Sequence, residues 1–317
     1  MRRDTSRAVV FAFLTVVVCG LVPVASADNV AEISGTYLGE PAPGSVPLVF
    51  RPGVVSGDGI EIALAVHPNA AEVYVTRITS GKATLLVARR VGQGWTALEP
   101  VSFASAYDDA SAFVTADGAM LYFASKRPGA GETAPRGAYH IWFVTRQGET
   151  WSEPAEVVLP LESQSGEASP SLTLDGALYY AADYASLGGE GVYCSRLADG
   201  VWQMPEYVGV FPHGGAVYVE PFISADGSFL LFYSAGRPDN LAPASTLGDL
   251  YVSFRDADGA WTTPRNLGSP VNSAMEESSP SLSPDGRYLF FASNRAARNR
   301  MPDIYWVSAD FLAAQKP

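Results

Sequence analysis

Four carboxylates recur in this chain at one fixed distance from a turn. Glu61, Asp109, Glu167 and Glu277 stand eight positions before Asn69, Asp117, Asp175 and Asp285. A fifth, Glu220, stands six positions before Asp226 and is therefore two out of phase. Arg77, Arg127, Arg237 and Arg295 close the apolar run that follows each turn, and the third copy has Ala185 in that place. Carboxylates in such numbers can pair with the arginines, hold a cation or a ligand's cationic group, or work two at a time as acid and base on a glycosidic bond. Residues repeated in phase usually serve the repeat itself, so ion pairing is the first expectation. Glu167, whose copy lacks the arginine, is the carboxylate expected to be left free.

The three histidines add little. His67 precedes a turn and reads as a surface residue, whereas His140 opens an apolar run and His213 sits in the link FPHGG. His140 and His213 beside carboxylates could help hold a divalent cation, although no ligand pair has the close spacing of a metal motif. The chain has no G-x-S-x-G, no P-loop, no C-x-x-C and no H-E-x-x-H, so nucleophilic serine or cysteine chemistry has no support. Trp95, Trp151, Trp202 and Trp261 recur in register and read as packing between repeats.

The elements that must position these residues are short strands. From Ile60 onward, alternating segments are separated by turn residues every few positions, the pattern of an all-β chain. Asp117-Gly118, Asp175-Gly176, Asp226-Gly227 and Asp285-Gly286 suit tight hairpins in which both residues take positive φ. Each repeat holds four strands, placed in the fourth repeat at 218–224, 228–235, 249–255 and 260–267. Tandem four-stranded units with a period of about 50 residues are the blades of a β-propeller. The fifth repeat lacks its fourth strand, and the segment 46–50 is an orphan strand ahead of the repeats. Pairing the two closes five blades into a ring without an open edge.

Residues 1–27 read as a separate secretory signal. Arg2, Arg3 and Arg7 precede an apolar run too short for a membrane span, and the segment ends Ala25-Ser26-Ala27. Cys19 follows Val18 rather than a small residue, so soluble export to the periplasm or the exterior is expected rather than lipidation. Residues 28–58 form an N-terminal segment carrying the closing strand, and 59–317 the propeller. Cleavage would remove three arginines and one aspartate and take the formal net charge from −12 to about −14. Such a surface repels nucleic acid and anionic membrane and favours cationic partners. With only Cys194 left, the exported chain can form no internal disulfide and must rely on its core.

The stretch SPDGRYLFFASNR followed by DIYWVS, and TADGAMLYFASKR in the second repeat, resemble the TolB-like, or WD40-like, propeller repeat of exported bacterial proteins. The resemblance spans residues 60–309 and is weakest in the first repeat, where HPNAAEVYVTR lacks the Asp-Gly turn. It implies that each first strand lines a central channel and that the Asp-Gly turns lie at its bottom. The long segments 127–138, 184–190, 237–248 and 295–302 would then gather on top, as functional loops do. Glu61, Asp109, Glu167, Glu220 and Glu277 would ring the channel mouth, with Arg127, Arg237, Arg295, His140 and His213 around them. The expected function is a monomeric binding or scaffolding propeller whose top face takes a protein, a small molecule, a glycan or a divalent cation. The alternative is a carbohydrate-active hydrolase or lyase using the same carboxylates.

Overall fold

A computed structural model describes residues 36–57, 59–92, 94–161, 163, 166–208, 217–242, 247–296 and 301–316. The proposed signal segment and His213 lie outside these residues. The chain forms five antiparallel blades. Their first strands are Ile60–Val66, Asp109–Val114, Ala168–Leu172, Val217–Ile223 and Glu277–Leu282. In the fourth blade the next two strands are Phe229–Ala235 and Gly248–Phe254, within a residue of the expected bounds.

The outermost strand is shorter than expected, reduced there to Arg265–Asn266. The reason is a proline. Trp261 bridges Arg255, Pro264 then interrupts the ladder because it has no N–H to donate, and pairing resumes at Arg265. Pro154 and Pro205 stand at the same place after Trp151 and Trp202.

The fifth blade closes as expected. Leu48–Val49 pairs antiparallel with Asp303–Ser308, with Val49 opposite Tyr305 and Leu48 opposite Trp306. Five apolar clusters fill the five seams between blades. The tryptophans sit in these seams. Trp151 of blade two donates to the Tyr74 hydroxyl of blade one at 3.1 Å, and Arg146 lies over its indole and reaches Glu72 at 2.8 Å. Trp261 meets the Tyr179 ring edge-on at 6.4 Å, and Arg255 lies over its indole while donating to the Tyr179 hydroxyl at 2.9 Å.

The bottom turns differ in kind from the expected two-residue hairpin. Gly118, Gly176, Gly227 and Gly286 have φ between 70° and 82°, but the aspartates before them do not have positive φ. The Gly286 N–H donates to the Ser283 carbonyl, and the Ser283 hydroxyl binds Asp285. This is a type I turn followed by one left-handed residue, so only the glycine carries the conformational demand. A Cβ on Gly286 would meet nothing within 4 Å. Gly286→Val should therefore destabilise by backbone strain alone, roughly 1–3 kcal/mol in denaturant unfolding. Unchanged stability would refute the turn assignment.

Each first strand also carries a bulge. Its residue in the left-handed region is Ala63, Ser111, Ser169, Glu220 or Ser279, with φ between 50° and 56°. Pairing with the second strand shifts register at each of these places. The bulge decides what faces the channel.

Candidate functional site

A cavity of about 960 Å³ runs down the centre, lined by the first strands of all five blades from their bulge residues onward. Ala63, Ser111, Ser169, Glu220 and Ser279 form its first level. Below them Phe113 of blade two approaches Phe222 of blade four, ring centroids 6.3 Å apart. At the far end the cavity meets the bottom turns and Asp310, Leu312, Ala313 and Lys316, in and beside the short helix Phe311–Gln315.

The expected ring of carboxylates does not form at this channel. Glu61, Asp109, Glu167 and Glu277 are buried and do not line the cavity. Each instead accepts the backbone N–H four residues upstream, from Gly57, Ser105, Ser163 and Ser273 respectively. Arg77, Arg127 and Arg295 complete the motif in three blades, at 2.7, 2.9 and 3.1 Å. The same guanidinium groups donate to carbonyls of the incoming link, those of Val55, Phe103 and Pro270. These carboxylates therefore fasten each link to its blade. Burial pushes the Glu61 and Glu277 carboxyls up, and the arginines and hydrogen bonds oppose that push.

Glu167 is not left free. His140, from the third strand of the preceding blade, places Nδ1 3.1 Å from Glu167 Oε2, and the Tyr184 hydroxyl donates to Oε1 at 3.2 Å. The histidine of one blade thus replaces the missing arginine of the next. Arg237 pairs with Asp239 and lies over the Tyr251 ring.

Glu220 differs from the other four. Its position corresponds to the small bulge residues of the other blades, and Tyr218 occupies the register position of the buried carboxylates. Ser234 lies opposite Tyr218, and its buried hydroxyl has no hydrogen-bond partner among the described residues, whereas Ser125 and Ser293 at the same place bind Asp109 and Glu277. Glu220 is half-buried and its Oε2 accepts the Ser279 N–H at 2.6 Å and the Ser279 hydroxyl at 3.3 Å, across the seam between blades four and five. Among the described residues no cation pairs with it. Burial, and then the charge of neighbouring Glu276, push its carboxyl up to about 7, although the Ser279 N–H works against them. Glu276 is raised by burial as well and accepts a bond from the Tyr233 hydroxyl at 3.0 Å.

Glu276 and Tyr233 were not among the residues expected at the site, since nothing in their spacing sets them apart. Among the described residues no three His, Cys, Asp or Glu side chains gather in a metal-holding group. No helix among the described residues is long and apolar enough to cross a membrane.

No protein-family model and no curated protein matches the sequence. Solved structures do. A glycoside hydrolase superposes with a TM-score of 0.55 at 13% identity, over 85% of this chain and 92% of the other. An alpha-L-arabinofuranosidase from Lactobacillus brevis gives 0.51 at 11% identity, over 78% and 90%. A putative TolB from Agrobacterium tumefaciens gives 0.46 at 19% identity, over 74% and 70%. The chain thus shares the five-bladed propeller fold with these structures, and at such identities the likeness extends to the fold alone.

Proposed function

We propose that this chain is an exported binding or scaffolding propeller that takes a ligand into its central channel at the level of Glu220. One observation carries the reading. Four blades satisfy their carboxylates internally, while the fourth blade presents Glu220 to a large cavity with no cation paired to it among the described residues. A half-buried carboxylate of this kind is more costly than a small side chain there, and a bound partner would offset that cost. The acidic balance of the chain favours a cationic or polyhydroxylated partner over an anionic one. Export rests on the sequence of residues 1–27.

The hydrolase reading keeps one observation in its favour. A carboxyl raised to about 7 beside a second carboxylate is what a general acid needs. Glu276, however, does not line the cavity and is held by Tyr233, so the pair does not present two groups to one bond.

Thermal-shift screening of the purified protein against oligosaccharides, amines and divalent cations tests the reading. Glu220→Gln should remove the ligand-induced shift without lowering the melting temperature of the free protein. Glu167→Gln should do the reverse, because Glu167 is buried among His140, Tyr184 and Ser163. A ligand whose shift survives Glu220→Gln but is lost in Glu167→Gln would overturn the channel assignment.

A further inference from the structure

The first level of the channel has a particular chemistry. It holds one carboxylate, Glu220, and three hydroxyls, those of Ser111, Ser169 and Ser279, with Ala63 completing the circle. Only the Ser279 hydroxyl is engaged with Glu220, and the Ser111 and Ser169 hydroxyls have no hydrogen bond among the described residues. Glu220 and the three serines can each accept a hydrogen bond, and among the described residues no lysine or arginine lines this level. Immediately below, the wall turns apolar, with Phe113 and Phe222 facing one another beside Leu64, Pro170, Pro221 and Pro280.

We propose that the channel binds a primary amine, its ammonium group seated among Glu220 and the serine hydroxyls and its carbon skeleton laid against the apolar wall formed by the touching rings of Phe113 and Phe222 and their neighbours. This rests on the channel-binding reading above and names the ligand class for it. An ammonium has three N–H donors and one positive charge, which matches a single carboxylate flanked by neutral acceptors. A guanidinium is planar and seeks two carboxylate oxygens side by side, but one oxygen of Glu220 is already taken by the Ser279 N–H. A sugar could bond the serine hydroxyls but brings no positive charge to the Glu220 carboxylate.

Among the described residues the groups facing Glu220 are Glu276 from the segment before the fifth blade's first strand, Tyr233 from the second strand of its own blade, and Ser169 and Ser279 from the first strands on either side. These are neutral or anionic, so protonation of Glu220 is the change that would expel a cation. With its carboxyl near 7, the ionised fraction falls about tenfold between pH 8 and pH 6.

Titration calorimetry with hexylamine, hexan-1-ol and maltotriose tests the assignment on the purified protein. Hexylamine should bind at least tenfold more tightly than hexan-1-ol at pH 8, and that preference should shrink about tenfold at pH 6. Glu220→Gln should abolish the preference. Glu220→Ser, which installs the residue found at this place in three other blades, should do the same and guards against a folding artefact in the first variant. If hexan-1-ol or maltotriose binds as tightly as hexylamine and its binding is weakened by the Glu220 variants, the amine assignment fails while the channel reading stands. If the amine preference survives both variants, binding does not depend on Glu220 and both fail. If none of the three probes binds, both fail.

Discussion

Phe50→Ala should destabilise the protein by about 3–5 kcal/mol, and removal of residues 28–52 should leave no cooperatively folded domain. Phe50 is fully buried, edge-on to Phe290 at 5.1 Å and to Trp306 at 5.3 Å. Its N–H donates to the Ile304 carbonyl at 2.7 Å, and the Ser308 N–H donates to the Gly44 carbonyl at 3.0 Å. Ser56 binds the Ile304 carbonyl as well and returns a bond from the Ile304 N–H. The segment therefore supplies both the ladder and the apolar contacts that join the last blade to the first. Without it, Asp303–Ser308 becomes an open strand edge and the cluster around Trp306 is exposed. Denaturant unfolding followed by tryptophan fluorescence measures both changes. A truncated protein that melts within a few degrees of the intact one would show that the ring closes by other means.

The architecture was legible because its signals are local and repeated. The Asp-Gly turns and the arginines that close the second strands depend on neighbours a few residues away, so their positions survive into the structure almost unchanged, and the distant partner of the orphan strand followed from the strand missing in the last repeat. The type of turn was not legible, since Asp-Gly serves both a two-residue hairpin and a type I turn with one left-handed glycine. The site was half legible. Its main signal was the two-residue offset of Glu220, which first read as a blemish in a ring of five.

What sequence alternation could not show is the bulge. Residues 61 and 63 share a face in a regular strand, as do 109 and 111, so the carboxylates and the channel lining should coincide. The left-handed residue breaks that parity. Glu61 and its counterparts turn into the blade, and whatever occupies the bulge meets the cavity. Only in the fourth blade is that residue ionisable. The replacement of an arginine by His140 from the neighbouring blade was equally hidden, because it joins residues of two different repeats.

Breaking one of the link-fastening pairs should cost more than any change in the channel. Arg127→Ala should destabilise by about 3–5 kcal/mol, because it leaves Asp109 as an unpaired buried charge. Asp109 is 1% exposed, and Arg127 reaches it at 2.9 Å while donating to the Phe103 carbonyl at 3.3 Å. The guanidinium also lies over Phe123 and Trp142, so its loss removes packing as well as charge. Replacing both partners, Arg127→Met with Asp109→Asn, should recover part of the loss, since no isolated charge then remains in the blade. Glu220→Gln, in contrast, should not lower stability, should raise it above pH 7, and should act on ligand binding, because among the described residues Glu220 has no ion pair to lose, burial opposes its charged form, and the amide can still accept from the Ser279 N–H. The double-mutant cycle and the Glu220 variant measured side by side separate the two kinds of carboxylate. Equal destabilisation by Arg127→Ala and Glu220→Gln would mean that the bulge residue, too, belongs to the scaffold.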